Sequence, residues 1–154
     1  MILPDYKIRE WVKSGGVHPV GPGCINPASI DLRISSEFRN LVMPEILQNK
    51  SVIDLWPSQA ILATTMEYIK MPRDLAGVMY LKSSWARQGL DHALAGWVDP
   101  GFEGQLTMEL HTHRPLQIRA HSRLCQLVLY RLESAVENPY SGRYQGQRGP
   151  TEAK

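Results

Sequence analysis

From Gly104 to His111 the chain alternates strictly, with Leu106, Met108 and Leu110 standing between Gln105, Thr107, Glu109 and His111. A period of two sends successive side chains to opposite faces, as in a half-buried strand, and offers no apolar stripe to a helix. Eleven prolines and twelve glycines cut the rest of the 154 residues into short segments. Together these features predict a mainly β fold with few helices. Strands are expected over residues 29–38, 59–69, 77–81, 104–111, 116–120 and 124–132. A helix is expected over residues 5–13, where Ile8, Trp11 and Val12 share a side before the Ser14-Gly15-Gly16 stop. A second, single turn is expected around residues 84–88. With 43% hydrophobic and 21% charged residues, a chain of this length builds one domain around one core.

Charge and cysteine content narrow the function. A formal net charge of +2 is too small for general affinity to nucleic acid, so positive charge must act locally. No apolar run reaches the length of a membrane span, and the start Met-Ile-Leu-Pro-Asp lacks the charged and apolar regions of a secretory signal. A cytoplasmic protein is expected. Cys24 and Cys125 have no metal-ligand spacing and read as structural thiols, unpaired in a reducing compartment.

The chemistry-bearing residues are concentrated between positions 81 and 110. Lys82, Ser83, Ser84 and Arg87 combine hydroxyl donors with fixed positive charge, which suits a polyphosphate. Asp99 opens an Asp-Pro-Gly turn, a rigid corner for a carboxylate. Glu109 shares a strand face with Thr107. Taken singly these signals stay open: a Lys/Ser segment is also an ordinary turn, and such a polar face is also the solvated side of an antiparallel sheet. His111 and His113 stand two apart, but no cysteine or carboxylate pattern in the sequence completes a metal site around them. No metal ligand set is therefore expected in the protein itself.

Five segments in order give a sharper reading. Ile25-Asn26-Pro27-Ala28-Ser29-Ile30-Asp31-Leu32-Arg33, Lys82-Ser83-Ser84-Trp85-Ala86-Arg87-Gln88-Gly89-Leu90, Ala95-Gly96-Trp97-Val98-Asp99-Pro100-Gly101-Phe102-Glu103-Gly104, Leu106-Thr107-Met108-Glu109-Leu110 and the tail from Asn138 to Pro150 resemble the motif blocks of dCTP deaminases and trimeric dUTPases. The tail is similar to that of the deaminase branch. The resemblance implies a distorted jelly-roll β-barrel of the trimeric dUTPase-like type, with residues 1–137 as the β domain and residues 138–154 as a lid.

It also implies an activity. dCTP would be deaminated to dUTP without zinc, since the His-x-Glu and Pro-Cys-x-x-Cys signature of zinc deaminases is missing from the sequence. Glu109 would be the general base, Ser83 and the carbonyl of Ala95 would position the water, and Arg87 would counter charge. Asp99 would meet the sugar and is a candidate to orient a second water. The resemblance assigns Lys82, Ser84, Trp97, Thr107, Met108, Gln126, Tyr140, Arg143, Tyr144 and Gln147 to holding the nucleotide or closing over it, with Mg2+ riding on its phosphates. The pair Gly96-Trp97 resembles that of bifunctional deaminase-diphosphatases, which hydrolyse the dUTP to dUMP for thymidylate synthesis. Strict deaminases tend to carry His-Arg there. The sites would be shared between subunits of a homotrimer.

This chain departs from the family pattern at Lys82, which replaces the usual arginine, in the short segment between Arg39 and Asp54, and at Ala120-His121-Ser122, which replaces a Pro-Gly turn. Three alternatives remain at this level: a deaminase alone, a dUTPase alone, and a nucleotide-binding sensor without turnover. Arg-Gly content in the tail is too slight for a single-strand nucleic-acid platform.

Overall fold

The computed structural model describes residues 1–44, 46–93 and 95–154. The chain opens with α1 (Asp5–Lys13), which buries Ile8 and Trp11. Its stop is steric as well as conformational: a Cβ on Gly16 would sit 2.0 Å from the Trp11 indole nitrogen. Six strands follow: β1 (Val17–His18), β2 (Ile25–Asn26), β3 (Ser29–Asn40), β4 (Leu47–Asn49), β5 (Val52–Leu55) and β6 (Ala60–Lys70). β7 (Leu75–Leu81) runs into the single turn α2 (Ser83–Ala86). The chain then continues through β8 (Leu90–His92), β9 (Trp97–Val98), β10 (Glu103–Thr112), β11 (Leu116–Arg119) and β12 (Arg123–Arg131). Strand takes 46% of the chain and helix 9%, so the mainly β expectation holds.

The six strands expected from periodicity correspond to β3, β6, β7, β10, β11 and β12. The other six are two to four residues long, too short to show a period.

Among the described residues all strand pairings are antiparallel, and the main sheet runs β8-β10-β6-β3-β12-β7-β9. β3 joins its two halves. Residues 30–33 pair with β12, whereas Ile34 and residues 38–40 pair with β6, with a register shift between Ile34 and Phe38. One long strand thus serves two neighbours, and the sheet curls around its own core into a half-barrel. β5 and β11 form a separate pair whose Ile53, Leu55 and Ile118 enter the same core.

β10 keeps the alternation read from its sequence: Gly104, Leu106, Met108, Leu110 and Thr112 are buried, and the residues between them are half-buried. Cys24 and Cys125 are free and buried, and burial pushes the Cys125 thiol up to about 12. Among the described residues no helix is long and apolar enough to cross a membrane.

The turn that lacks Pro-Gly has a visible cost. His121 takes φ 69°, a left-handed conformation that glycine adopts freely, and its amide donates to the Ile34 carbonyl at 2.7 Å. His121→Gly should therefore keep the turn and raise stability by about 1 kcal/mol, as read by urea unfolding.

Candidate active site

β10 presents Glu109 and Thr107 on one face because their intervening neighbour, Met108, is fully buried among core residues. The alternation also fixes the backbone. The Glu109 carbonyl accepts the Ala93 amide at 3.0 Å, so the backbone of Thr107 turns to the same edge, beyond the end of β8. Glu109 and Thr107 line a cavity of about 610 Å³ together with Ala95, Gly96, Trp97, Asp99, Tyr140, Tyr144 and Gln147. Nine residues expected from the sequence are thereby brought to one place. Leu41, Leu62, Met79 and Phe102 add an apolar wall, and Thr151 and Ala153 complete the rim.

Glu109 is the most unusual group in the cavity. Its Oε2 is buried and has no hydrogen-bond partner, and loss of solvent holds its carboxyl above the usual carboxylate range. His92 on the neighbouring strand opposes that rise electrostatically, and the buried Nδ1 of His92 is also unpartnered. In the β8–β10 ladder His92 lies opposite Leu110, one residue along the strand from Glu109.

Asp99 sits at its turn as expected, and the Trp97 indole N–H donates to its Oδ1 at 2.8 Å. The glycine before Trp97 has a packing reason. The Met79 amide donates to the Gly96 carbonyl at 2.7 Å, and a Cβ on Gly96 would lie 2.4 Å from the Met79 carbonyl oxygen. A side chain there would push β9 away from β7.

The tail lies along β10 and does not stand free. The Gln105 amide donates to the Gln147 carbonyl at 3.0 Å, Gln147 Nε2 donates to the Gln105 carbonyl at 2.7 Å, and the Gly149 amide reaches Gln105 Oε1 at 2.8 Å. Arg148 stacks on the Tyr68 ring at 4.6 Å. Tyr140 and Tyr144 are thereby held over the cavity. Arg143 instead points outward, where its guanidinium donates to the Lys154 carbonyl.

Lys82, Ser83, Ser84, Arg87 and Gln126 do not line this cavity. They gather where β7 ends, α2 begins and β12 passes. Ser83, Ser84 and Arg87 are exposed. Lys82 Nζ lies 2.7 Å from both oxygens of Asp31, which is buried and also accepts Asn26 Nδ2 at 2.8 Å. Two of the three ammonium donors are thus occupied, leaving one for a ligand. Sequence reading placed Asp31 in a motif block but gave it no partner, because Lys82 is fifty-one residues away.

Comparison with known proteins agrees with this architecture. The model of the dCTP deaminase-like family matches residues 2–132. A protein of Persephonella marina named dCTP deaminase, dUMP-forming, is 42% identical over 176 residues, covering 100% of this chain and 97% of the relative. One of the same name from Aquifex aeolicus is 38% identical, covering 97% and 92%. The crystal structure of 2′-deoxycytidine 5′-triphosphate deaminase from Agrobacterium tumefaciens superposes with a TM-score of 0.73 at 21% identity over 83% of this chain, which spans 47% of that structure. A mutant dUTPase of phage phi11 of S. aureus gives 0.54 at 13% identity, covering 83% of this chain and 97% of that one. The fold is that of the jelly-roll deaminases and dUTPases. The chain belongs to the dCTP deaminase-like family.

The engagement of Lys82 is testable without substrate. Lys82→Met leaves the buried Asp31 carboxylate without its nearest cation, since Arg123 stands 3.8 Å away. Because Asn26 and Arg123 still face the carboxylate, the loss should lower stability by about 1.5–3 kcal/mol in urea unfolding.

Proposed function

We propose that the protein deaminates dCTP to dUTP and hydrolyses the dUTP to dUMP and pyrophosphate in the same cavity, supplying dUMP for thymidylate synthesis. The observation that carries this reading is the placement of Glu109, a desolvated carboxylate with one buried, unpartnered oxygen, in the lining of a nucleotide-sized cavity. The relatives named dCTP deaminase, dUMP-forming, at 35–42% identity support it.

In the deamination step Glu109 takes a proton from water as the oxygen attacks C4 of cytosine, then delivers protons to N3 and to the departing amine. Water enters and ammonia leaves, so the carboxylate ends as it began. Ser83 and the Ala95 carbonyl position the water, and Arg87 balances charge near the ring. The backbone of Thr107 and Met108 offers hydrogen bonds to the pyrimidine edge. Asp99, steadied by Trp97, meets the sugar and orients the second water, which attacks the phosphate chain and releases pyrophosphate. Lys82, Ser84, Gln126, Tyr140, Arg143, Tyr144 and Gln147 hold the triphosphate or close over it.

The substrate is the Mg2+ complex of the nucleotide. The cavity lining offers Asp99 and Glu109 as carboxylates, too few for an all-protein cage, so the cation is carried by phosphate oxygens.

The separation of the two clusters supports a shared-site assembly. Glu109 and Asp99 line the cavity, whereas Ser83, Ser84 and Arg87 lie exposed outside it with no side-chain partner among the described residues. A homotrimer, in the cytoplasm, in which each cavity receives the α2 cluster of a neighbour supplies the missing hydroxyls and cations.

Two experiments test this. Protein incubated with Mg2+ and dCTP should yield ammonia and dUMP without accumulated dUTP, and Glu109→Gln should lower ammonia release by about 10²–10⁴-fold while dCTP still binds. Persistent dUTP would mark a deaminase alone, and turnover of dUTP with dCTP untouched would mark a dUTPase. For the shared site, Ser83→Ala and Glu109→Gln should each be inactive, yet an equal mixture reassembled together should recover about a quarter of the sites. No recovery in mixed oligomers would place the whole site within one chain.

A further inference from the structure

Outside the cavity, β8 and the end of β10 bring together three side chains that the sequence keeps apart. Asp91 lies directly opposite His111 in the β8–β10 ladder, and His113 follows two residues on. Their Nε2 atoms converge on one oxygen, Asp91 Oδ2, at 3.6 Å for His111 and 3.9 Å for His113. All three ligand-type atoms lie within 4.8 Å of one another. The sequence supplied the histidine pair without a carboxylate, and the strand register provides it.

We propose that Asp91, His111 and His113 bind one divalent transition ion of the zinc class. Both histidine–carboxylate separations are too long for hydrogen bonds. They lie near the edge of a tetrahedron with bonds of about 2.0–2.1 Å, which is about 3.3 Å. Two imidazoles with one carboxylate suit Zn2+ and its neighbours and disfavour Mg2+ or Ca2+, which prefer oxygen alone.

The frame around the cluster is fixed. Asp91 Oδ1 accepts the His92 amide at 2.8 Å, which turns Oδ2 toward the two rings. Thr112, between the histidines, is buried, and its hydroxyl donates to the Arg114 carbonyl at 2.7 Å with the Gly89 carbonyl at 3.1 Å as the alternative acceptor. The His113 amide donates to the Gly89 carbonyl at 2.9 Å. Both imidazoles are therefore carried on backbone tied to the residues just before Asp91. Asp91 and His113 are exposed and His111 half-buried, so a fourth position is open to water. None of the three lines the Glu109 cavity. The ion's role is to clamp the short β8 to the end of β10.

Tag-free protein stripped of metal and titrated with Co2+ tests the site through the visible absorption of the bound ion. Saturable binding of one Co2+ per chain, displaced by Zn2+ and weakened at least about tenfold in both His113→Ala and Asp91→Asn, is the expected result. Absence of saturation below about 1 mM would overturn the proposal, as would a loss smaller than tenfold in either variant. Circular dichroism of each variant keeps a folding defect from passing as a lost ligand, and His113→Gln replaces any that unfolds. Binding is read without nucleotide, so the outcome stands apart from the deaminase reading.

Discussion

The β6–β10 ladder is the constraint on which the cavity depends. It pairs Glu103 with Lys70 at one end and His111 with Ala60 at the other, and it shifts register between Gln105 and Thr107. The shift leaves Leu106 without regular ladder partners, and two buried threonines replace them. Thr65 Oγ1 accepts the Leu106 amide at 3.0 Å, and Thr64 Oγ1 donates to the Leu106 carbonyl at 3.3 Å. Buried backbone groups need such partners, because an unpaired one costs about 1–3 kcal/mol. Those two hydroxyls therefore hold the bulge, and the bulge sets which residues of β10 meet the cavity and which meet the tail. A slip of one residue would turn Glu109 into the core and Met108 into the cavity.

The same economy of partners appears where the α2 cluster meets the sheet. Asp31 is buried on β3, and a buried carboxylate is tolerated only with close compensation. Lys82 and Asn26 supply it, with Arg123 farther out. An arginine would offer a planar fork; lysine gives a compact charge that can nestle between two oxygens. The exposed guanidinium of Arg87 remains available for an incoming anion.

Long strands and the first helix were legible because their residues carry a period. The bounds of α1 agree with the reading, and β10 keeps its alternation at every position. β8 and β9 were not legible: three and two residues hold too little pattern, and their placement is decided by the partners they find on β10 and β7. The candidate base was found by resemblance to motif blocks, since period alone could not separate its face from a solvated one. Asp91 and His92 escaped notice for the same reason as β8 itself. Their significance comes from lying opposite residues about twenty positions away. Lys82 could be read as a cation but not as the partner of Asp31, because that contact exists only once β3, β7 and β12 lie side by side.

Gly104 carries one last implication. Its φ is 155°, and an added Cβ would stand 3.0 Å from the Phe102 ring and 3.1 Å from both the nitrogen and the oxygen of Gln147. The bare backbone at this position is what lets the final stretch of chain settle flat against the strand. A methyl group there would be strained at this φ and would crowd the Gln147 backbone, so the closing segment would have to shift by a few tenths of an ångström. Position 104 and the terminal segment are therefore coupled through the backbone alone, since glycine brings no side chain to the contact.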